Sequence, residues 1–433
     1  MASKIHKLSI TGLFKDFDYE IPFPSDERLR ILTGPNGYGK TTILNIIKAI
    51  GKGDLIYFYT LPFNSISLSF SNGMTLRIDS KLKPFNDNDS ERDDTELMRQ
   101  VDFTITSPDG NRSTLVINSA ILRNSAKRQR YYAHVYDIDF DDVNSAKFLQ
   151  YVRKNSEEIF HAIAASQDNS TFLLDLEALM SVTMIQAQRL FFRNDENHLS
   201  SRIQDISKKL SEILKKEYFT FLSNSQSKDS SFIDHFLNQS YLPISAEEYA
   251  EKVARLNQAF ENLRKFDLIT SIRIPEFQEN KSEALRCYLN DLEEKISVYD
   301  DILNRLNLFI DILNEKKFRN KKFIIDRRNG LRMQSLSDRE FIPLDALSSG
   351  EKNEIIMLYD FIFNVENGAT LLIDEPEISL HVAWQVSFMD DILKVADLRD
   401  FSVVVATHSP EIINEQWDKT VDLYALVENE LDN

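Results

Sequence analysis

Two segments far apart in the chain carry the residue types that phosphate chemistry needs. The first, Gly34-Pro35-Asn36-Gly37-Tyr38-Gly39-Lys40-Thr41, has the spacing GxxxxGK[ST]. Glycines so placed let backbone N–H groups turn inward around phosphate oxygens at the start of a helix. Lys40 would reach the β- and γ-phosphates of ATP and the Thr41 hydroxyl would ligate Mg²⁺, with Asn36, Gly37, Tyr38, Gly39 and Thr42 lining the cradle. The second segment, Thr370-Leu371-Leu372-Ile373-Asp374-Glu375-Pro376, is an apolar run that ends in two carboxylates, as a Walker B strand does. Asp374 would hold Mg²⁺ through its shell, and Glu375 would polarise the attacking water as general base. Paired acids after a strand are more often solvated than catalytic. A phosphate loop about 330 residues upstream changes that balance.

These groups must be positioned by strands and a helix. Ile31 and Leu32 end a strand that runs straight into the glycine-rich turn, and Ile43, Leu44, Ile46, Ile47 and Ile50 then recur at helical spacing. Residues 4–14 and 17–23 read as short strands. Ile66, Leu68 and Phe70 alternate up to Asn72-Gly73, and Phe103 and Ile105 lead to Asp109-Gly110. Asn-Gly and Asp-Gly supply the positive φ that tight hairpins need, which predicts an antiparallel β-subdomain. Residues 84–96 read as a solvated acidic loop between the hairpins. From about 196 to 316 the pattern is helical. Leu285, Leu289, Leu292, Ile296, Tyr299, Leu303, Leu306, Ile310 and Leu313 make a 4-3 repeat, equivalent to roughly 45–50 Å of helix. Two readings fit it: amphipathic helices packed on a helical domain, or a short antiparallel coiled-coil hairpin. Strands resume near Lys322–Asp326. The expected organisation is 1–195, the first part of the head with its β-subdomain; 196–318, a helical or coiled-coil insertion; and 319–433, the second part of the head.

Leu347-Ser348-Ser349-Gly350-Glu351-Lys352 resembles the ABC signature LSGGE, placed before a helix, where Ser348, Ser349, Gly350 and Glu351 would form an anion site. Thr407-His408-Ser409-Pro410 follows the apolar strand 403–406, where ABC ATPases keep their switch histidine. Phosphate loop, long insertion, signature, acidic pair and histidine, in that order, resemble an ABC-type P-loop NTPase head of α/β class. The long insertion is similar to SMC-like, RecF-like and OLD-like proteins rather than to transporters. Residues 342–363, 371–385 and 406–423 resemble a bacterial group of OLD-like ATPases that includes those of the phage-defence systems PARIS (AriA) and Septu (PtuA) and of some retrons. The resemblance covers 1–60 and 320–423 well and the middle loosely. It implies that His408 contacts the γ-phosphate. It also implies that Ser349 contacts ATP held by another copy, in a head-to-head dimer or a higher oligomer, and that Ile378–His381 crosses to that partner. Residues 184–190 resemble a Q-loop, with Gln188 as the Mg²⁺ or water contact, Gln186 as the alternative and a plain structural role as the other reading. Ser349 departs from the LSGGE pattern, a departure shared by the group it resembles. About 25 residues follow His408, too few for a TOPRIM nuclease, so the expected effector is a separate protein, a nuclease or toxin, with a phage-encoded trigger.

Composition narrows the field. The formal charge of −17 repels a phosphate backbone, so DNA binding would need a local basic patch. The candidates are Lys127, Arg128 and Arg130, and the cluster Lys316, Lys317, Arg319, Lys321 and Lys322. The single cysteine, Cys287, suits a reducing cytoplasm, and the seven histidines show no metal-ligand spacing. The start lacks a signal-peptide core and no apolar run reaches membrane length, so a cytoplasmic protein without a membrane partner is expected. Two functions follow: an antiviral ATPase acting as sensor or scaffold for an effector, or a DNA-repair or chromosome-maintenance ATPase that clamps DNA.

Overall fold

Strict alternation of apolar and polar residues decides the first sheet. Its strands are β1 (Ile5–Leu13) and β2 (Phe17–Pro22), then, after β3 (Leu29–Thr33) departs to a second sheet, β4 (Ser65–Phe70), β5 (Thr75–Pro84), β6 (Leu97–Thr106) and β7 (Arg112–Asn118). The order is β2-β1-β4-β5-β6-β7, antiparallel throughout. On β4, Ile66, Leu68 and Phe70 are buried between three half-exposed serines. Both expected hairpins form, with Gly73 at φ 81° and Gly110 at φ 82°. The computed structural model describes residues 3–84, 97–128, 146–156, 158–160, 163, 170–185, 191–193, 199–238, 242–270, 272–316, 318 and 320–431. The acidic segment 85–96 lies outside the described residues.

The second sheet is parallel, in the order Thr420–Asp422, β3, Ser402–Ala406, Thr370–Asp374 and β8 (Val182–Ile185). Its central strands are continuously apolar because both faces are covered: Leu371, Leu372, Ile373, Val403, Val404 and Val405 are all buried. Helix α1 (Lys40–Gly51) packs Ile43, Leu44, Ile46, Ile47 and Ile50 into a core shared by the two sheets. A Cβ at Gly51 would lie 2.2 Å from Val182 Cγ2, so this close approach of α1 to β8 requires glycine.

Both sheets belong to one unit, formed by Met1–Ala187, Val365–Ile378 and Gln385–Asn433; Gln188–Asn364 and Ser379–Trp384 form a second. The second unit holds a 37-residue helix, Arg202–Asn238, about 55 Å long, and the helices Ala246–Lys265, Ser282–Ile296 and Asp300–Glu315. The 4-3 series is therefore not one continuous helix. A 3₁₀ turn at Ser297–Tyr299 divides it, which favours packed amphipathic helices over a coiled-coil hairpin. After the turn the buried residues are Ile302, Leu306, Phe309, Ile312 and Leu313; Leu303 and Ile310 are only half-buried.

This unit reaches past the 196–318 span suggested by the heptads. It includes an antiparallel sheet (Lys321–Asp326, Gly330–Ser335, Phe341–Ile342) and the helix Ser349–Tyr359. The long helix holds that sheet. Ser207 Oγ donates to the carbonyls of Asn329 (3.0 Å) and Leu331 (2.8 Å), and Ser211 Oγ donates to that of Arg327 (2.8 Å). Gly330, at φ 69°, sits so close that a Cβ would meet Ser207 O at 1.7 Å.

Candidate active site

In the first unit, three neighbouring parallel strands deliver chemistry at their carboxyl ends, where open α/β sheets bind ligands. β3 runs into the glycine loop, Ser402–Ala406 runs into Thr407-His408, and Thr370–Asp374 runs into Glu375. The strand ending in the histidine lies between the other two. Within the loop Gly34, Gly37 and Gly39 have φ of 133°, 93° and 82°. Gly39 caps α1, and Asn36 and Gly37 are exposed. Lys40 is 6% exposed and folds back over its own loop, its Nζ donating to Gly34 O (2.6 Å) and Pro35 O (3.1 Å). Half-exposed Tyr38 accepts a hydrogen bond on its carbonyl from Tyr19 Oη–H (2.7 Å), and its ring lies 5.5 Å from both Phe17 and Tyr424. Thr42 is half-buried on α1.

Thr41 Oγ1 donates to Asp374 Oδ1 at 3.1 Å, joining residues 333 apart in sequence. The Asp374 carboxyl is pushed above its ordinary value, chiefly by burial. The Thr41 bond opposes that shift, the charges of Glu375 and Glu377 reinforce it, and Lys40 opposes it. Glu375 adopts φ 45°, uncommon for a residue with a side chain, and its N–H donates to Ala406 O at 2.9 Å. That bond ties the end of the acidic strand to the end of the histidine strand.

One site residue escaped the sequence reading. Glu377 Oε1 accepts from Thr407 Oγ1 (2.9 Å) and His408 N (3.1 Å) and lies 3.2 Å from His408 Nδ1. The only signal was the third acid of Asp374-Glu375-Pro376-Glu377. Gln385 Nε2 donates to the Glu377 carbonyl (3.3 Å), while its Oε1 accepts from Ser409 Oγ (3.0 Å). Gln188 and Gln186 lie outside the described residues.

Hydroxyl and carboxylate oxygens are the donors Mg²⁺ prefers. Among the described residues no three His, Cys, Asp or Glu side chains form a closed metal cage. The ion characteristically takes one or two protein oxygens and completes its shell with phosphates and water, and Thr41 with Asp374 suits that arrangement. Burial, and after it the neighbouring carboxylates, raise Asp374, and a divalent cation would offset both.

In the second unit Ser348 caps the helix Ser349–Tyr359. Its Oγ accepts from Glu351 N (3.3 Å), while Glu351 Oε2 accepts from Ser348 N (2.8 Å). Ser348 and Ser349 are exposed and Gly350 is half-buried. Lys321 Nζ donates to Glu351 Oε1 at 2.6 Å. Burial works against the charged Glu351, yet Lys321 and Ser348 hold its carboxyl below the ordinary value. One turn on, Lys316 pairs with Glu354, their side chains 5% and 6% exposed. Arg202 Nη2 reaches both carboxylate oxygens of Asp360 at 2.8 Å. Lys316 and Lys321, two members of the candidate DNA patch, are thus engaged by the signature helix. The side chains of Lys127 and Arg128, and residues Arg130, Lys317 and Arg319, lie outside the described residues.

Parallel strands that end in a phosphate loop on one side and carboxylates on the other define the class: a P-loop ATPase head of α/β type, with an antiparallel subdomain and a helical unit. Residues 4–413 match the family described as AAA ATPase domain, and the chain belongs to that family. No curated protein matches it. Similar solved structures include an Smc head domain with an extended coiled coil from Pyrococcus furiosus, bound to the C-terminal domain of ScpA. That likeness is 13% identity and TM-score 0.34, covering 95% of this chain and 91% of that one. The SMC head domain from Thermotoga maritima is 12% identical, with TM-score 0.32 and the same coverages. No described helix is long and apolar enough to cross a membrane.

Proposed function

We propose that the chain binds ATP with Mg²⁺, hydrolyses it, and does so in sites completed by a second copy. The observation that carries this reading is the 3.1 Å bond between Thr41 and Asp374, with Lys40 and Glu375 on either side. Lys40 would exchange its two loop carbonyls for the β- and γ-phosphates. Thr41 and Asp374 would hold Mg²⁺, which supplies charge neutralisation between the phosphates. Glu375 would accept a proton from the attacking water as it adds to the γ-phosphorus, and His408 would stabilise the charge on the departing γ-phosphoryl group.

Ser348, Ser349, Gly350 and Glu351 form a helix start whose two serines are exposed, suited to the triphosphate of a partner's ATP. Ile378 and Val386 of the first unit are 62% and 46% exposed, apolar surface that a second copy would cover. Glu375→Gln tests the reading. It removes the base and leaves the phosphate ligands, so ATP should still bind, turnover should fall by a factor of about 100 or more, and ATP-dependent dimers should accumulate on gel filtration. Near-normal turnover would remove Glu375 as the base.

The biological role rests on the sequence resemblance to defence ATPases. In it, ATP-driven closure of two heads switches a separate effector, a nuclease or toxin, between held and released states. Pairing of Lys316 and Lys321 with acids of the signature helix weighs against that cluster as a DNA clamp. Co-purification with the product of the neighbouring gene, altered by Glu375→Gln, would support effector control. Salt-sensitive DNA binding by the isolated chain would favour the clamp instead.

A further inference from the structure

Glu377 has no part in the chemistry above, yet it is among the most constrained side chains near it. Its side chain is 9% exposed. A single oxygen, Oε1, receives Thr407 Oγ1–H at 2.9 Å and His408 N–H at 3.1 Å, and lies 3.2 Å from His408 Nδ1. The second oxygen, Oε2, is buried with no hydrogen-bond partner among the described residues. Thr407 is fully buried, and its N–H donates to Leu32 O at 3.1 Å, on the strand that leads into the phosphate loop. The imidazole of His408, in contrast, is 54% exposed.

We propose that Glu377 is the positioning residue of His408, holding its ring toward the nucleotide. This rests on the ATPase reading given above. A carboxylate oxygen only accepts, so for Nδ1 to bond to it that nitrogen would have to carry the proton. A neutral ring would then present Nε2 as a bare lone pair, which repels a phosphate oxygen. To donate to the γ-phosphate as well, the ring would need both protons, and the carboxylate beside Nδ1 supplies the matching charge. Unlike the surface acids, Glu377 has little solvent to screen its charge. A loop-bracing role alone would need an acceptor at Oε1 but not a charge.

Glu377→Gln separates the two roles, because a glutamine oxygen can still accept from Thr407 and from the His408 N–H. In the purified full chain, with ATP and Mg²⁺, kcat should fall about 10–100-fold. KM, the affinity for a non-hydrolysable ATP analogue and the melting temperature should stay near wild type. His408→Ala should lower kcat comparably, and adding Glu377→Gln to it should lower it little further, since the second acts through the first. Wild-type kcat in Glu377→Gln, or losses that multiply in the double variant, would overturn the proposal while leaving the ATPase reading standing. If wild type shows no turnover that Lys40→Ala abolishes, the ATPase reading and this proposal fall together.

Discussion

The buried pair of Lys316 and Glu354 allows a quantitative test of how the signature helix is anchored. Their side chains are 5% and 6% exposed. Lys316→Ala would take a buried cation from the Glu354 carboxylate, on a helix face that also buries Ile355, Leu358 and Tyr359. Removing one partner of such a pair costs about 3–5 kcal/mol, because the remaining charge keeps its desolvation penalty without the attraction that offset it. For a cooperative unit of 150–250 residues this lowers the melting temperature by roughly 6–20 °C. Replacing both residues by methionine removes both charges while filling similar volume, and should return stability to within about 1 kcal/mol of wild type. Denaturant unfolding followed by circular dichroism, on wild type, both single variants and the double variant, gives the coupling directly. A single variant costing less than about 1 kcal/mol, or single-variant costs that simply add in the double, would refute the claim that these groups form a desolvated pair.

Mixing Lys40→Ala and Ser349→Arg chains, each inactive alone, should restore about a quarter of wild-type turnover if copies pair at random and sites are shared, since half the dimers are mixed and each has one intact site. No recovery at any ratio, with exchange verified by labelled subunits, would exclude a shared site. Gly330→Ala should destabilise the second unit by about 2–4 kcal/mol, combining a forced left-handed backbone with a clash against Ser207 O, seen as a lower melting temperature. The Glu351 carboxyl is held below its ordinary value of 4.5. Its contribution to stability is therefore present above that pH and lost as pH falls through the depressed value. Lys321→Met should flatten that acid limb in melting curves taken from about pH 3 to 6, and an unchanged limb would disconnect Lys321 from it.

Local features were legible where local physics decides them. Glycines with positive φ, a helix whose isoleucines recur on one face, and hairpins closed by Asn-Gly and Asp-Gly depend on a few neighbouring residues each. The 4-3 series misled about continuity for a geometric reason. A 3₁₀ turn packs three residues per turn, so Ser297–Tyr299 overwinds the chain and rotates the following face by about 60°. Ile302 and Phe309 then take the buried positions that the repeat assigned to Leu303 and Ile310, while the pattern on paper is almost unchanged. The lysine cluster misled differently. Its sequence shows charge but not partners, and the acids that engage Lys316 and Lys321 lie 30 or more residues downstream.

Glu377 was illegible for the same reason, and it points to a wider feature of the site. Asp374, Glu375 and Glu377 crowd three acids into four residues, with the charge of Lys40 opposing the rise at Asp374. Burial and like charge raise Asp374, Glu375 sits at φ 45°, and Glu377 keeps an oxygen without a partner among the described residues. Each departs from what folding alone favours, and at Asp374 the Thr41 bond and Lys40 offset that departure only in part. Lys40, meanwhile, spends its charge on two backbone carbonyls, a weak substitute for phosphate. Anionic phosphate for Lys40 and a divalent cation for Asp374 would answer both mismatches at once, and neither ligand could do so alone. A site so built would suit the metal–nucleotide complex, and on the ATPase reading nucleotide binding should strengthen with Mg²⁺ far more in wild type than in Asp374→Asn.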